Sequence, residues 1–217
     1  MGQYYLVVNV DKQQYIDPHR CGDGAKLLEF ASTGCGMMAC LAILLADGNG
    51  RGGGDLRSED PIIGSWAGDR IVISGDYSDE GKFVEGKFVE GADSLNLYNF
   101  AQENFEDISD AVIVALCDDH YAGEEIREKY KGYDFTGDGL PTRETLAARK
   151  AARAAENVLY ALGKKGLPVP DSYNERDAYE KLLKKVAKLF VDTGDWKADT
   201  ALLAQNAAFK LGAEAVG

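Results

Sequence analysis

The chain reads as an α+β protein, with a β-rich first half of hairpins and short antiparallel strands around one helix, packed with a helical second half. Three observations predict this. Tyr4, Leu6, Val8 and Val10 alternate at period two, the pattern of a half-buried strand. Residues 142–211 carry apolar side chains at helical spacing. The two kinds of segment are segregated along the chain, where βαβ folds would alternate them.

The first apolar stripe is separated from Tyr15-Ile16 by Asp11-Lys12-Gln13-Gln14, which predicts a hairpin. Asp17-Pro18 ends its second arm, and Cys21-Gly22-Asp23-Gly24 turns into a helix beginning near Ala25. Leu27, Leu28, Phe30 and Ala31 supply its buried face, and Met37, Leu41, Leu44 and Leu45 continue it after the interruption Thr33-Gly34-Cys35-Gly36. The stretch DGNGRGGGD, residues 47–55, resists both helix and strand because glycine loses so much backbone freedom on ordering. Ile62 to Ile73 follows as a strand-turn-strand unit with Ala67-Gly68-Asp69 at its turn.

Residues 81–85 and 86–90 are the same pentapeptide, GKFVE. In one continuous strand an odd period would turn the second copy onto the opposite face, so two short arms meeting at Glu85-Gly86 are more consistent than one strand, and a slippage duplication tolerated in an exposed loop explains the repeat equally well. Ile108 to Leu116 is an apolar run that passes through Cys117 to His120 into the charged helical pattern AGEEIREKYKG. Thr142 then caps a long Ala-rich helix with the stripe Leu146, Ala151, Ala155, Val158, Leu159 and Leu162. After the stiff Leu167-Pro168-Val169-Pro170, a capping box of Ser172 and Glu175 opens a helix with the stripe Leu182, Leu183, Val186, Leu189 and Phe190. Asp195 to Leu211 is the last helix. The organisation expected is an α+β domain over 1–138 and a helical subdomain over 139–217, within one compact unit.

Hydrophobic residues at 45% and charged residues at 28% are the usage of a globular domain. The net charge of −12 is concentrated in one segment: residues 76–138 hold seventeen acids and five bases, while the segments on either side nearly cancel. Such a balance argues against direct nucleic-acid binding, which needs a basic footprint. The longest apolar run, Met37 to Ala46, is half the ~20 residues needed to span a bilayer. The opening residues lack the basic and apolar regions of a signal peptide, and Leu6 stands where myristoylation wants Ser or Thr. Four cysteines are few for a disulfide scaffold. A cytoplasmic protein is expected, with no membrane association.

Four constellations bear on chemistry. The first is the glycine-rich segment, whose backbone amides can cradle an anion with Arg51 and Arg57 supplying charge; Asp47, Asn49, Gly53 and Asp55 complete its candidate lining. It lacks the Gly-Lys-Ser/Thr of a Walker A loop and follows a helix where that loop follows a strand. The second is SWAGDRIVISGDY, residues 65–77, in which Trp66, Asp69, Arg70 and Asp76 flank a short strand; paired carboxylates there can bind a cation or act as acid and base, while Gly-Asp pairs are also ordinary turn residues. The third is His19-x-Cys21 with Cys117-x-x-His120, a Cys2His2 donor set without the spacing of a zinc finger. The fourth runs from Asp134 through Asp138 to Glu144; it starts like a calcium-binding EF-hand loop, but the closing carboxylate arrives one residue early and Thr145 stands in its place. No Gly-x-Ser-x-Gly or other nucleophile signature is present, and no motif implies a cofactor.

The opening MGQYYLVVNVDKQQYIDPHRCGDGAKLLEF, with GNGRGGGDLRS and GSWAGDRIVISGDY, resembles a group of bacterial and phage proteins that begin MGQYY. The resemblance covers about the first third of the chain and brings no activity with it. It implies a cytoplasmic accessory protein, in keeping with phage origin. The residues favour a binding module for a small anionic ligand or a basic protein. The rival readings are a metal-assisted hydrolase using Asp69 and Asp76, with His19 or His120, and an acidic decoy presenting residues 76–138 to a nucleic-acid-binding protein.

Overall fold

The computed structural model describes residues 2–31, 36–47, 58–84, 87–90, 95–118, 123–132 and 139–214. The fold is α+β, and the chain divides into two compact units, Met1–Arg143 and Glu144–Gly217.

In the first unit the elements are β1 (Tyr5–Asn9), β2 (Gln14–Ile16), α1 (Leu27–Ala31), α2 (Met37–Leu45), β3 (Ile71–Gly75), β4 (Gly81–Val84), β5 (Lys87–Glu90), α3 (Leu97–Asn104), β6 (Glu106–Asp107), α4 (Ser109–Cys117) and α5 (Gly123–Gly132). The sheet order is β3-β1-β2-β6, with β1 antiparallel to both neighbours and β6 parallel to β2. Alternation along β1 feeds two cores. Leu6, Val8 and Val10 pack with Tyr15 against Leu97, Ala101 and Phe105 of the α3 side. Val7 and Ile16 face the other way, into a larger cluster with Phe30, Met37, Leu44, Trp66, Val112, Ile113 and Leu116. The central strand β1 is thus covered on both faces, while Val72 and Ile73 of the edge strand β3 stay exposed, and charged groups gather at the two ends of the sheet.

The expected first hairpin is present, as is the second: β4 and β5 pair with Phe83 opposite Phe88 and Val84 opposite Lys87. Of the buried face expected for the first helix only Phe30 is buried; Leu27, Leu28 and Ala31 are exposed, because α1 is a five-residue helix that sends one side chain into the core. The strand-turn-strand reading of residues 62–73 holds only for its second arm. Residues 61–69 form successive turns, and two of their amides serve α2: Gly64 N–H donates to Ile43 O at 2.7 Å and Trp66 N–H to Leu44 O at 2.8 Å. A helix end leaves its last carbonyls without partners, and this segment supplies them. At the other end of α2, Asp23 Oδ2 accepts from Met37 N–H at 2.6 Å while Asp23 Oδ1 pairs with Lys129 Nζ at 2.7 Å. Gly36 lies between them with φ of 82°, and a Cβ there would stand 2.4 Å from Asp23 Oδ2, so glycine is required twice over.

The second unit contains α6 (Arg143–Lys164, whose first residue closes the first unit), α7 (Arg176–Ala187) and α8 (Trp196–Glu214). Ala155, Val158, Leu159 and Leu162 of α6 pack with Val186 of α7 and Leu203, Ala207 and Leu211 of α8. The capping box sits one residue earlier than expected. Asp171 Oδ1 accepts from the Tyr173 and Asn174 amides at 2.9 and 2.7 Å, and Glu175 Oε2 accepts from Asp171 N–H at 3.1 Å. Among the described residues no helix is long and apolar enough to cross a membrane.

Candidate functional site

β3 separates the two carboxylates that sequence placed together. Asp69 precedes the strand and Asp76 follows it, with roughly 17 Å of extended chain between them at about 3.3 Å per residue. They cannot act as a pair. Trp66 is fully buried in the core, and its Nε1–H donates to Gln14 Oε1 at 2.9 Å, so it is a packing residue and not a ligand contact. Asp47 is exposed just beyond α2. Asn49, Arg51, Gly53, Asp55, Arg57, His120, Asp134 and Asp138 lie outside the described residues.

The Asp69 end of the sheet is a closed set of matched charges. Asn9 is fully buried at the end of β1; its Nδ2 donates to Asp69 Oδ2 at 2.8 Å and its Oδ1 accepts from the Asp11 and Lys12 amides at 3.0 and 2.9 Å. This Asx turn carries the chain into β2. Arg70 donates from its backbone to Asp11 Oδ2 at 2.7 Å and from Nε to Oδ1 at 2.8 Å, and these bonds hold the Asp11 carboxyl below its usual range. Lys12 Nζ stands 3.7 Å from Asp69 Oδ2. Two acids meet two bases in the turn geometry itself.

The opposite end is different, and topology explains why acids gather there. β2 and β3 both run antiparallel to β1, and β6 runs parallel to β2, so the last residues of all three strands arrive beside the first residues of β1. Asp17 follows β2, Asp76 follows β3, Asp107 ends β6 and Asp110 opens α4. Tyr4 precedes β1, its amide donating to Asp76 Oδ1 at 3.0 Å. Asn96 caps α3 and donates from Nδ2 to Asp76 O at 2.7 Å, which brings Tyr98 to the same edge. His19 follows Asp17 in a helical turn, and its ring meets Tyr4 edge to face at 6.0 Å between centroids.

One cation sits beneath this edge. Arg20 is buried, with its Nη2 at 2.7 Å from Asp110 Oδ2 and its Nε at 3.6 Å from Asp107 Oδ2. Ser109 ties the layer together: its hydroxyl donates to Asp107 Oδ1 at 2.6 Å and accepts from Asp17 N–H at 2.8 Å. A single guanidinium cannot neutralise Asp17, Asp107 and Asp110 together. Burial therefore pushes the Asp107 carboxyl up to about 6, against the pull of Arg20 and the Ser109 bonds. Burial also raises Asp17, although the His19 amide and the charges of His19 and Arg20 oppose it. Tyr98 is pushed up to about 12, first by burial and then by the negative charges of Asp17 and Asp76.

Chemically the edge has two layers. The lower one, Arg20 with Asp107, Asp110 and Ser109, is sealed: the Asp107 side chain is 5% exposed, so its proton is out of reach of a substrate. The upper one, Asp17, Asp76, Tyr4, His19 and Tyr98, is half-open to solvent. Neither Asp17 nor Asp76 forms an ion pair among the described residues. Sequence reasoning found Asp76 and His19 but missed Asp17, Arg20, Tyr98, Asp107 and Asp110. A signal did exist, in acids placed directly against apolar runs at Ile16-Asp17 and Asp107-Ile108.

For the zinc reading, Cys21 and Cys117 both lie in the apolar core. Among the described residues no group of three or more His, Cys, Asp or Glu side chains is arranged to hold a metal ion. Comparison with known proteins finds no family, no curated protein and no solved structure that matches the chain.

Proposed function

We propose that the protein is a non-enzymatic, cytoplasmic binding module that takes a cationic group of a basic protein at the Asp17–Asp76 edge of its sheet. The observation that carries this is the pair of carboxylates without an ion pair among the described residues, flanking a tyrosine whose hydroxyl both of them push toward higher pKa. Lysine and arginine side chains offer a further positive charge, with donors for two carboxylates that form no ion pair among the described residues. The exposed rings of Tyr4 and Tyr77 add faces on which a cation can rest. A net charge of −12 steers such a partner over longer range. The anion-binding loop of the sequence reading rests on residues outside the described part, and the paired-carboxylate hydrolase loses its geometry with Asp69 and Asp76 apart.

The test is titration of the full chain with arginine- and lysine-rich peptides, followed by calorimetry at low and moderate salt. The double variant Asp17→Asn with Asp76→Asn is expected to lose at least tenfold in affinity, while Asp69→Asn changes nothing. Equal affinity of the wild type and the double variant would overturn the reading.

A further inference from the structure

The turn that carries Asp17, His19 and Arg20 ends on a cysteine, and that cysteine has a close partner. Cys21 Sγ accepts from Cys40 Sγ–H at 3.3 Å, joining the turn to the middle of α2. Both side chains are buried, in the same core cluster as Cys117. A disulfide has its sulfurs about 2.05 Å apart. The pair is therefore a little over 1 Å from bonding distance, within reach of a small rotation about each side chain.

We propose that Cys21 and Cys40 form a redox latch, a reversible disulfide made by hydrogen peroxide that fixes the 17–23 turn to α2. One thiol, as its thiolate, attacks a peroxide oxygen; hydroxide leaves and the sulfur becomes a sulfenic acid. The second sulfur then attacks the sulfenic sulfur, forming the S–S bond and expelling the hydroxyl. The two thiol protons leave with the two hydroxides as water, so two thiols and one peroxide give one disulfide and two waters. Peroxide is small enough for a buried site, where a bulky disulfide reagent would first need the core to open. The hydrogen bond with Cys40 and then burial raise the Cys21 thiol, so little thiolate is present and the reaction is slow. The bond closes a loop between residues nineteen positions apart, which restrains the unfolded chain and stabilises the fold. It does not depend on what the Asp17–Asp76 edge binds.

The experiment exposes reduced, folded full-length protein to hydrogen peroxide, then maps its peptides without reduction and measures melting. The expected result is a linked Cys21–Cys40 peptide pair and a melting temperature raised by several degrees, both reversed by dithiothreitol and both absent in Cys40→Ser. Cys40→Ala, which buries no hydroxyl, replaces that variant if serine prevents folding. Free thiols after treatment, oxidation only to sulfinic acid, linkage to Cys35 or Cys117, or a linked pair that melts no higher than the reduced protein would each overturn the latch.

Discussion

The two ends of one small sheet handle charge in opposite ways. At the β1–β2 turn, Asp11 and Asp69 meet Arg70 and Lys12, and Asn9 satisfies the backbone between them. At the other end, Asp17, Asp107 and Asp110 share one buried arginine, and a proton must be kept or a cation brought in. Carboxylates flanking a strand are thus no guide to function until their partners are counted. The matched end shapes a turn, and the unmatched end is where a ligand has something to add.

The sharpest way to break this comparison is to remove the arginine. Arg20→Met leaves Asp107 and Asp110 buried without a countercharge, and we expect a loss of about 3–5 kcal/mol in urea unfolding. Next comes pH. The Asp107 carboxyl sits near 6 in the folded protein and near 4 in the unfolded chain, so between those values the folded state binds the extra proton. Its contribution is full below about pH 4 and is lost as pH rises through about 6, a fall of at most about 3 kcal/mol. The stability curve of Asp107→Asn should lack that slope, so that the difference between wild-type and mutant curves carries it; a mutant with an unchanged slope would assign it to other groups.

At the matched end, Asn9→Ala strips three hydrogen bonds from the turn and should cost about 1–3 kcal/mol by the same measurement. Arg70→Ala should have the smallest effect, a shift in midpoint within experimental scatter, because the pair it breaks is open to solvent and screened. If Arg70→Ala proves as damaging as Arg20→Met, the distinction between the two ends fails.

The elements read correctly from sequence are those whose pattern is local. The first hairpin follows from alternation and a polar turn, and the helices α6, α7 and α8 from stripes that do pack together. Residues 62–69 were misread because Ile62, Ile63 and Trp66 have strand-like composition, while their amides are drawn to the end of α2, a contact no local pattern records. The same holds for the site. Arg20 and Asp110 stand ninety positions apart in sequence, and only the parallel pairing of β6 with β2 brings them together. Asp69 and Asp76 offered the reverse lesson: near in sequence, they are held apart by the strand between them.

The tandem pentapeptide carries a consequence about origin. In the β4–β5 register, Phe83 opposes Phe88, and the pairs Lys82–Val89 and Val84–Lys87 exchange when the two copies are swapped. The hairpin therefore has an internal pseudo-twofold axis, and each copy is the template for the other. A segment with this property needs no gradual matching of two strands: duplicating one five-residue unit creates an arm and its complement in a single event. Deleting either copy should remove the hairpin as a whole and leave the four-stranded sheet, to which it contributes no strand, in place.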